Sequence, residues 1–231
     1  MPLAQIRRHF DSIDSTNTYA LNWPGAPHGA LVWADAQTQG RGRLGRTWSS
    51  PPELGLYFSL VLRDLKPQAR ARLSLLVGLS VAEALEEQSG LRTQIKWPND
   101  ILARGHKIGG ILCEGTSDRI VAGVGLNLNQ TPDDLPVRPI FPASSLLLLA
   151  GRRFDVPQTL ELVLLSLDAR LGSNDWPAER SAIQQRLYGL GELAKVGGAT
   201  GLIEGIGDDG ALSVRSADGL IEVRSGEVEF F

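Results

Sequence analysis

The chain has 231 residues, 42% hydrophobic and 21% charged, with 23 Lys and Arg against 26 Asp and Glu for a formal net charge of -3. This balance excludes a disordered or fibrous class and leaves enough apolar material for one substantial core plus a small satellite domain. With a pI near 5.7 there is no broad cationic surface, so no nucleic-acid or anionic-membrane partner is expected without a local patch.

Cys113 is the only cysteine, which excludes an internal disulfide and suits a reducing cytosol. The opening MPLAQIRRHF has no apolar stretch behind its arginines, and the longest leucine run, Leu146 to Leu149, is too short to span a bilayer. A soluble cytoplasmic protein is the expectation.

In chain order, Asp14-Ser15-Thr16-Asn17 before Tyr19, Ala20 and Leu21 predicts an N-cap and a first helix. Gly29 to Ala34 predicts a buried strand, after which Gln37 to Arg46 is too rich in glycine and arginine to hold regular structure well. Leu54 to Leu62 predicts a strand, and the amphipathic pattern from Ala71 to Gln88, closed by Gly90, predicts a long helix. Thr93 to Trp97, Lys107 to Glu114 and Arg119 to Leu128 predict neighbouring antiparallel strands bounded by turn chemistry. Two more helices fit Leu160 to Leu171 and Pro177 to Leu187. From about Gly189 the glycines become closely spaced, and Asp208-Asp209-Gly210 and Ala217-Asp218-Gly219 predict hairpin turns. The fold class is therefore α+β: a mixed, largely antiparallel sheet flanked by helices over 1–187, with a small β-barrel-like domain over 188–231.

Four segments carry chemistry. In Gly40-Arg41-Gly42-Arg43-Leu44-Gly45-Arg46, glycines that admit close backbone approach alternate with guanidinium forks suited to carboxylate or phosphate. A solvated loop or an RNA-binding segment is the alternative; the position between a buried strand and Trp48 favours an anion-binding loop over a pocket. Lys96-Trp97-Pro98-Asn99-Asp100 reads equally as a capped turn or as a turn presenting an amide and a carboxylate at a sheet edge. In Lys107-Ile-Gly109-Gly110-Ile-Leu-Cys-Glu114, the paired glycines either ease sheet packing or leave room for a ligand. Gly123-Val-Gly-Leu-Asn127 ends a buried strand in an amide that bonds either a base edge or the backbone.

Taken together, Ser15-Thr16-Asn17, GRGRLGRTW, KWPND, KIGGIL and GVGLN resemble the catalytic domain of biotin-protein ligases, in the short form without an N-terminal DNA-binding domain. The likeness runs from about Ser15 to Asn129; only 14 residues precede Ser15, too few for a helix-turn-helix domain. It implies an enzyme that makes biotinyl-5'-adenylate from biotin and ATP with Mg²⁺, then transfers biotin to a lysine of a biotin carboxyl carrier protein. By position, it implies biotin contacts from Ser15, Thr16, Asn17, Gln37, Gly40, Arg41, Gly42, Arg43, Lys107, Gly109 and Gly110. On the nucleotide side it implies Arg46, Trp48, Lys96, Asn99 and Asn127, with Lys107, Arg43 and Asp100 catalytic and the metal ligands left open. Family members are often dimers, which leaves a homodimer open; no feature of this sequence shows one.

The chemistry suits these residue types. Biotin's carboxylate must approach the α-phosphorus of ATP, and cations offset that repulsion. A closing loop would keep water from the labile adenylate. The tail is expected to help close the ATP side. A lipoate or octanoyl ligase or transferase of related fold is the alternative, with Cys113 as its conceivable nucleophile; its place in Ile111-Leu112-Cys113 reads better as a small buried side chain.

Overall fold

In the computed structural model, which describes residues 3–116, 118–137, 141–173 and 175–231, the apolar segments of the first half form one sheet of seven strands. They are β1 (Arg7–Ile13), β2 (Leu31–Gln37), β3 (Gly55–Arg63), β4 (Thr93–Lys96), β5 (Asp100–Ala103), β6 (His106–Gly115) and β7 (Arg119–Asn127). Their order is β1-β2-β3-β7-β6-β5-β4; β1 runs parallel to β2 and every other pairing is antiparallel.

Helix α1 (Thr16–Asn22) starts at Ser15, whose side chain accepts from the Thr18 N–H, as the capping pattern predicts. Helix α2 (Pro67–Ser89) reaches beyond the predicted span, with Pro67 in its first turn, and stops at Gly90 in the left-handed region (φ 71°). Helices α3 (Leu146–Ala150), α4 (Val156–Ser173) and α5 (Trp176–Arg186) complete the helical part.

Central strand β3 is buried on both faces. Its even positions, Leu56, Phe58, Leu60 and Leu62, join the large core under α2 and α4, while Val61 packs with Ala20 and Trp23 on the α1 side. The same alternation puts Ala122, Val124 and Leu126 of β7 in the large core and leaves Gly123 and Gly125 facing the α1 side. That glycine-floored face carries the site.

Strands β1 and β5 and helix α3 lie outside the predicted elements. The β1 strand, RRHFDSI, is almost wholly exposed at the sheet edge, so it shows no apolar alternation. The β5 strand follows the Trp97-Pro98-Asn99 turn at once and pairs along β4 from Lys96↔Asp100, so turn chemistry masks it.

After Tyr188 come β8 (Leu193–Val196), β9 (Ala199–Ile206), β10 (Leu212–Ser216), β11 (Gly219–Val223) and β12 (Val228–Phe230), antiparallel throughout in the order β11-β10-β9-β8-β12. Both predicted hairpin turns are present, with Gly210 (φ 84°) and Gly219 (φ 123°) at positive φ. Trp97 Nε1 donates to Gly210 O at 3.1 Å, which fastens this sheet to the main one.

The helices are tied by charge as well as by apolar packing. Arg170 of α4 bonds both Glu83 of α2 and the enclosed Glu179 of α5, and Arg186 of α5 bonds Glu86 of α2 at 2.7 Å. Arg170→Ala leaves Glu179, whose side chain is only 9% exposed, without its charged partner and with only the Ser173 hydroxyl, at 3.2 Å, to bond it. The expected loss is roughly 3 kcal/mol of unfolding free energy in urea denaturation; a loss under about 0.5 kcal/mol would show that the network adds nothing.

Candidate active site

The glycine floor, the N-terminus of α1, the loop after β2 and the turn between β4 and β5 line one partly open cleft. Ser15, Thr16, Asn17, Gln37, Arg41, Gly42, Arg43, Arg46, Trp48, Lys96, Asn99, Asp100, Lys107 and Gly110 all border it. Gly40, Gly109 and Asn127 do not.

At one end is a polar network. The Gln37 Oε1 accepts from the Thr16 N–H at 2.9 Å and from the Thr16 hydroxyl at 3.1 Å, while Gln37 Nε2 donates to Ser50 Oγ at 2.9 Å. Fully buried Ser59 donates to Asn17 Oδ1 at 2.6 Å and lies 2.8 Å from Thr16 Oγ1. The Asn17 Nδ2 donates to Leu112 O at 3.2 Å and to Glu114 Oε2 at 3.1 Å. Both of those partners only accept, so the orientation of the Asn17 amide is forced. Asn17 fits because Gly123 has no side chain: a Cβ there would lie 2.0 Å from Asn17 Oδ1.

The glycine-arginine segment forms no strand and only a three-residue 3-10 turn, Arg43–Gly45, in keeping with the expectation of little regular structure, yet its backbone closes on itself. Trp48 N–H donates to Gly40 O at 2.9 Å, Arg41 bridges Thr47, and Gly42 N–H donates to Arg46 O at 2.7 Å, which makes a short hairpin. Its tip is Leu44, exposed and at positive φ (55°). Alternating glycines permit this ladder: a Cβ at Gly40 would lie 2.4 Å from Trp48 O. The hairpin ends in Trp48, whose ring lies on Gly110 and Gly125, register partners in β6 and β7. A Cβ at Gly125 would be 2.5 Å from Trp48 Nε1, which has no hydrogen-bond partner among the described residues. Gly109 points the other way, onto Leu126 of the core, so the adjacent glycines in the sequence serve opposite faces.

The cations of the cleft come with partners. Lys107 Nζ donates to Asp100 Oδ1 at 2.6 Å and lies 5.7 Å above the Trp48 ring. Arg43 donates to Asn99 Oδ1 at 2.9 Å and to Gly226 O at 3.4 Å. Arg46 holds Glu227 through both guanidinium nitrogens, at 2.5 and 2.7 Å, and these hydrogen bonds keep the Glu227 carboxyl below its ordinary range. Burial pulls the Lys96 ammonium below the usual lysine value against the opposing pull of Asp100 and Glu227, and its Nζ sits 5.1 Å from the Phe141 ring. Asn127 donates to Ser144 O at 3.0 Å, the backbone-satisfying option, and borders a smaller cavity shared with Trp48 and Lys107. Asn99 likewise caps Ile111 O at 3.0 Å while holding Arg43, so its two readings coexist.

Sequence reasoning assigned no role to Ser59, Ser50, Glu114 or Glu227. Glu114 closes the segment that begins at Lys107, but its charge has no meaning until Arg41, 73 residues earlier, is brought to 2.6 Å. No local pattern ties Glu227 to Arg46, 181 residues away. Among the described residues, His9, Asp11 and Asp35 are close enough to share a metal ion, but none of them borders the cleft.

The cleft joins a hydrogen-bonding end at Asn17 to a wall of arginines and lysines, an arrangement suited to a small polar head group at one end and anions along the other. The chain belongs to the biotin/lipoate A/B protein ligase family, whose model matches residues 9–130. It is 36% identical over 237 residues to the biotin–[acetyl-CoA-carboxylase] ligase of Paracoccus denitrificans, covering 94% of this chain and 97% of that one. It is 35% identical over 217 residues to the bifunctional ligase/repressor BirA of Bacillus subtilis, covering 88% of this chain and 67% of the relative. The structure of the Aquifex aeolicus biotin protein ligase in complex with biotin and ATP superposes with a TM-score of 0.85 at 32% identity, covering 97% of both chains.

Cys113 is half-buried and packs against the core, and burial, reinforced by Glu114, pushes its thiol up to about 12. Alkylating reagents attack the thiolate, which is scarce here at pH 8. Modification in the folded protein is expected at least about a hundredfold slower than that of a free cysteine thiol, and a rate equal to it would contradict this environment.

Proposed function

We propose that this chain is an ATP-dependent ligase that activates biotin as biotinyl-5'-adenylate and transfers it to a lysine of a biotin carboxyl carrier protein. The observation that carries this reading is the pairing, in one cleft, of the forced Asn17 amide with the Lys107 and arginine wall. One end suits a ureido head and the other a carboxylate beside phosphate.

In the first half-reaction a biotin carboxylate oxygen attacks the α-phosphorus of ATP, the α,β-bridging P–O bond breaks, and pyrophosphate leaves. Lys107 and Arg43 bind the charge that collects on the α-phosphoryl oxygens, and Arg46 and Lys96 serve the phosphate side. ATP enters as its Mg²⁺ complex; Mg²⁺ commonly keeps waters and substrate phosphates as ligands, so it needs no all-protein cage. Trp48 flanks the adenine, with Asn99 and Asn127 as neighbours on the nucleotide side.

In the second half-reaction the carrier lysine's amine attacks the mixed-anhydride carbonyl and AMP leaves. Asp100, released once Lys107 turns to the ligand, orients that amine and accepts its proton. The tail belongs to the same machinery on this reading, since Gly226 and Glu227 bond Arg43 and Arg46 of the hairpin. Among the described residues no helix is long and apolar enough to cross a membrane. The thioester route of the octanoyl transferases is disfavoured by the suppressed ionisation of Cys113.

Wild type incubated with biotin, ATP, Mg²⁺ and a biotin carrier domain is expected to add one biotinyl group to the carrier by mass spectrometry, and lipoate is expected to add nothing. Lys107→Ala is expected to fold normally yet lose at least about a hundredfold in adenylate formation, the usual scale for removing a group that stabilises transition-state charge. Pyrophosphate release near the wild-type rate from this variant would refute the role of Lys107.

A further inference from the structure

The network at the biotin end extends beyond the family's motifs and ties both ends of the hairpin loop. On one side Gln37, held by Thr16, donates to Ser50, where the loop rejoins the fold. On the other, Asn17 donates to Glu114, whose second oxygen takes the Arg41 guanidinium at 2.6 Å. Ser59 joins the two halves by contacting both Thr16 and Asn17. Glu114 thus touches both a wall of the head-group end and the entrance to the loop, one carboxylate oxygen on each.

We propose that Glu114 is a positioning residue that clamps the arginine hairpin to the head-group end of the cleft. Its two oxygens divide the work. One holds an Nδ2 hydrogen of Asn17, and with Leu112 O taking the other and Ser59 filling one lone pair of Oδ1, Asn17 offers the cleft a single remaining acceptor site. That site accepts an N–H from the ligand. The other oxygen makes a charge-assisted bond to Arg41, next to Gly42 and Arg43, and so fixes the hairpin's start. Order at Asn17 and order in the loop are therefore coupled: a ligand that bonds the Asn17 amide reinforces the Glu114–Arg41 contact already made without it, and the loop stays shut over the adenylate.

The alternative, a surface ion pair of no consequence, fits the exposed Arg41 but not Glu114, which is partly buried and shares its carboxylate with Asn17; isolated exposed pairs contribute little, and this pair is not isolated. This inference rests on the biotin-ligase reading for the ligand's identity; the clamp itself is a property of the ligand-free chain.

The test is a double-mutant cycle of Glu114→Gln, Arg41→Ala and the double variant, each checked for folding by circular dichroism. Amide hydrogen exchange over the hairpin in the ligand-free protein is expected to rise severalfold in either single variant and no further in the double. With biotin and ATP present and the carrier absent, free biotinyl-adenylate is expected to escape about tenfold faster from Glu114→Gln, the scale of one lost charge-assisted hydrogen bond. The ATP KM is expected to stay within about twofold, because the Arg46–Glu227 contact shares no partner with Glu114. A Glu114→Gln protein with wild-type loop exchange and escape rate, or single effects that simply add in the double variant, would overturn the clamp. A wild type that makes no adenylate would instead overturn the proposed reaction, while the loop exchange still decides the clamp.

Discussion

A side chain, an indole and a substrate cannot share the space directly above β6 and β7, and the architecture of the site follows from that exclusion. Gly110 and Gly125 stand opposite each other in the strand register, and Gly123 lies two residues along on the same face. Without their side chains, Asn17 settles over Gly123 and Trp48 over the other two. These two residues mark the ends of the cleft. A one-residue slip of β7 would turn Val124 and Leu126 onto this face and fill it, so the site is specified by the same register that buries the core.

Electrostatics adds a second constraint. The chain is acidic overall, yet its cleft gathers Arg41, Arg43, Arg46, Lys96 and Lys107. Glu114, Glu227 and Asp100 each hold one of these cations, and the Asn99 amide holds a fourth. On the proposed function, substrate anions would enter by exchange, replacing a resident oxygen rather than meeting a bare charge. Exchange lowers the net gain from each contact but spares the protein a set of desolvated, unpaired cations, which would be far more costly. It also orders the hairpin before any ligand arrives, and an ordered lid loses less conformational freedom when it closes. Two of the resident partners come from distant parts of the chain: Glu114 from β6 and Glu227 from the turn that leads into β12. The loop thus reports on the head-group end through one and on the tail through the other.

What was legible in the sequence was local. Ser15 as a helix cap, Gly90 as a helix stop and the two Asp-Gly turns of the tail depend on backbone geometry within a few residues, and each is found as read. Strand β1 escaped because a solvent-exposed edge strand needs no apolar alternation, and β5 because the residues that begin it also complete a turn. The motif glycines were recognised as making room, but which face each one serves depends on register: Gly110 pairs across strands with Gly125, while Gly109 faces Leu126. The arginine segment lacks strands, as its composition implies, but its single bridge, Arg41 to Thr47, was not legible because it depends on what Gly40 packs against. Ser59, Glu114 and Glu227 could not be singled out at all, because their meaning comes only from partners 42 to 181 residues away.

The central claim is that the cleft activates a carboxylate as an adenylate before any carrier arrives. Exchange of labelled pyrophosphate into ATP tests it most directly, since that exchange requires reversible adenylate formation and nothing else. The account predicts exchange that depends on biotin, proceeds with no carrier protein present and is not supported by lipoate. Exchange driven by lipoate in place of biotin, or none until a carrier is added, would contradict it.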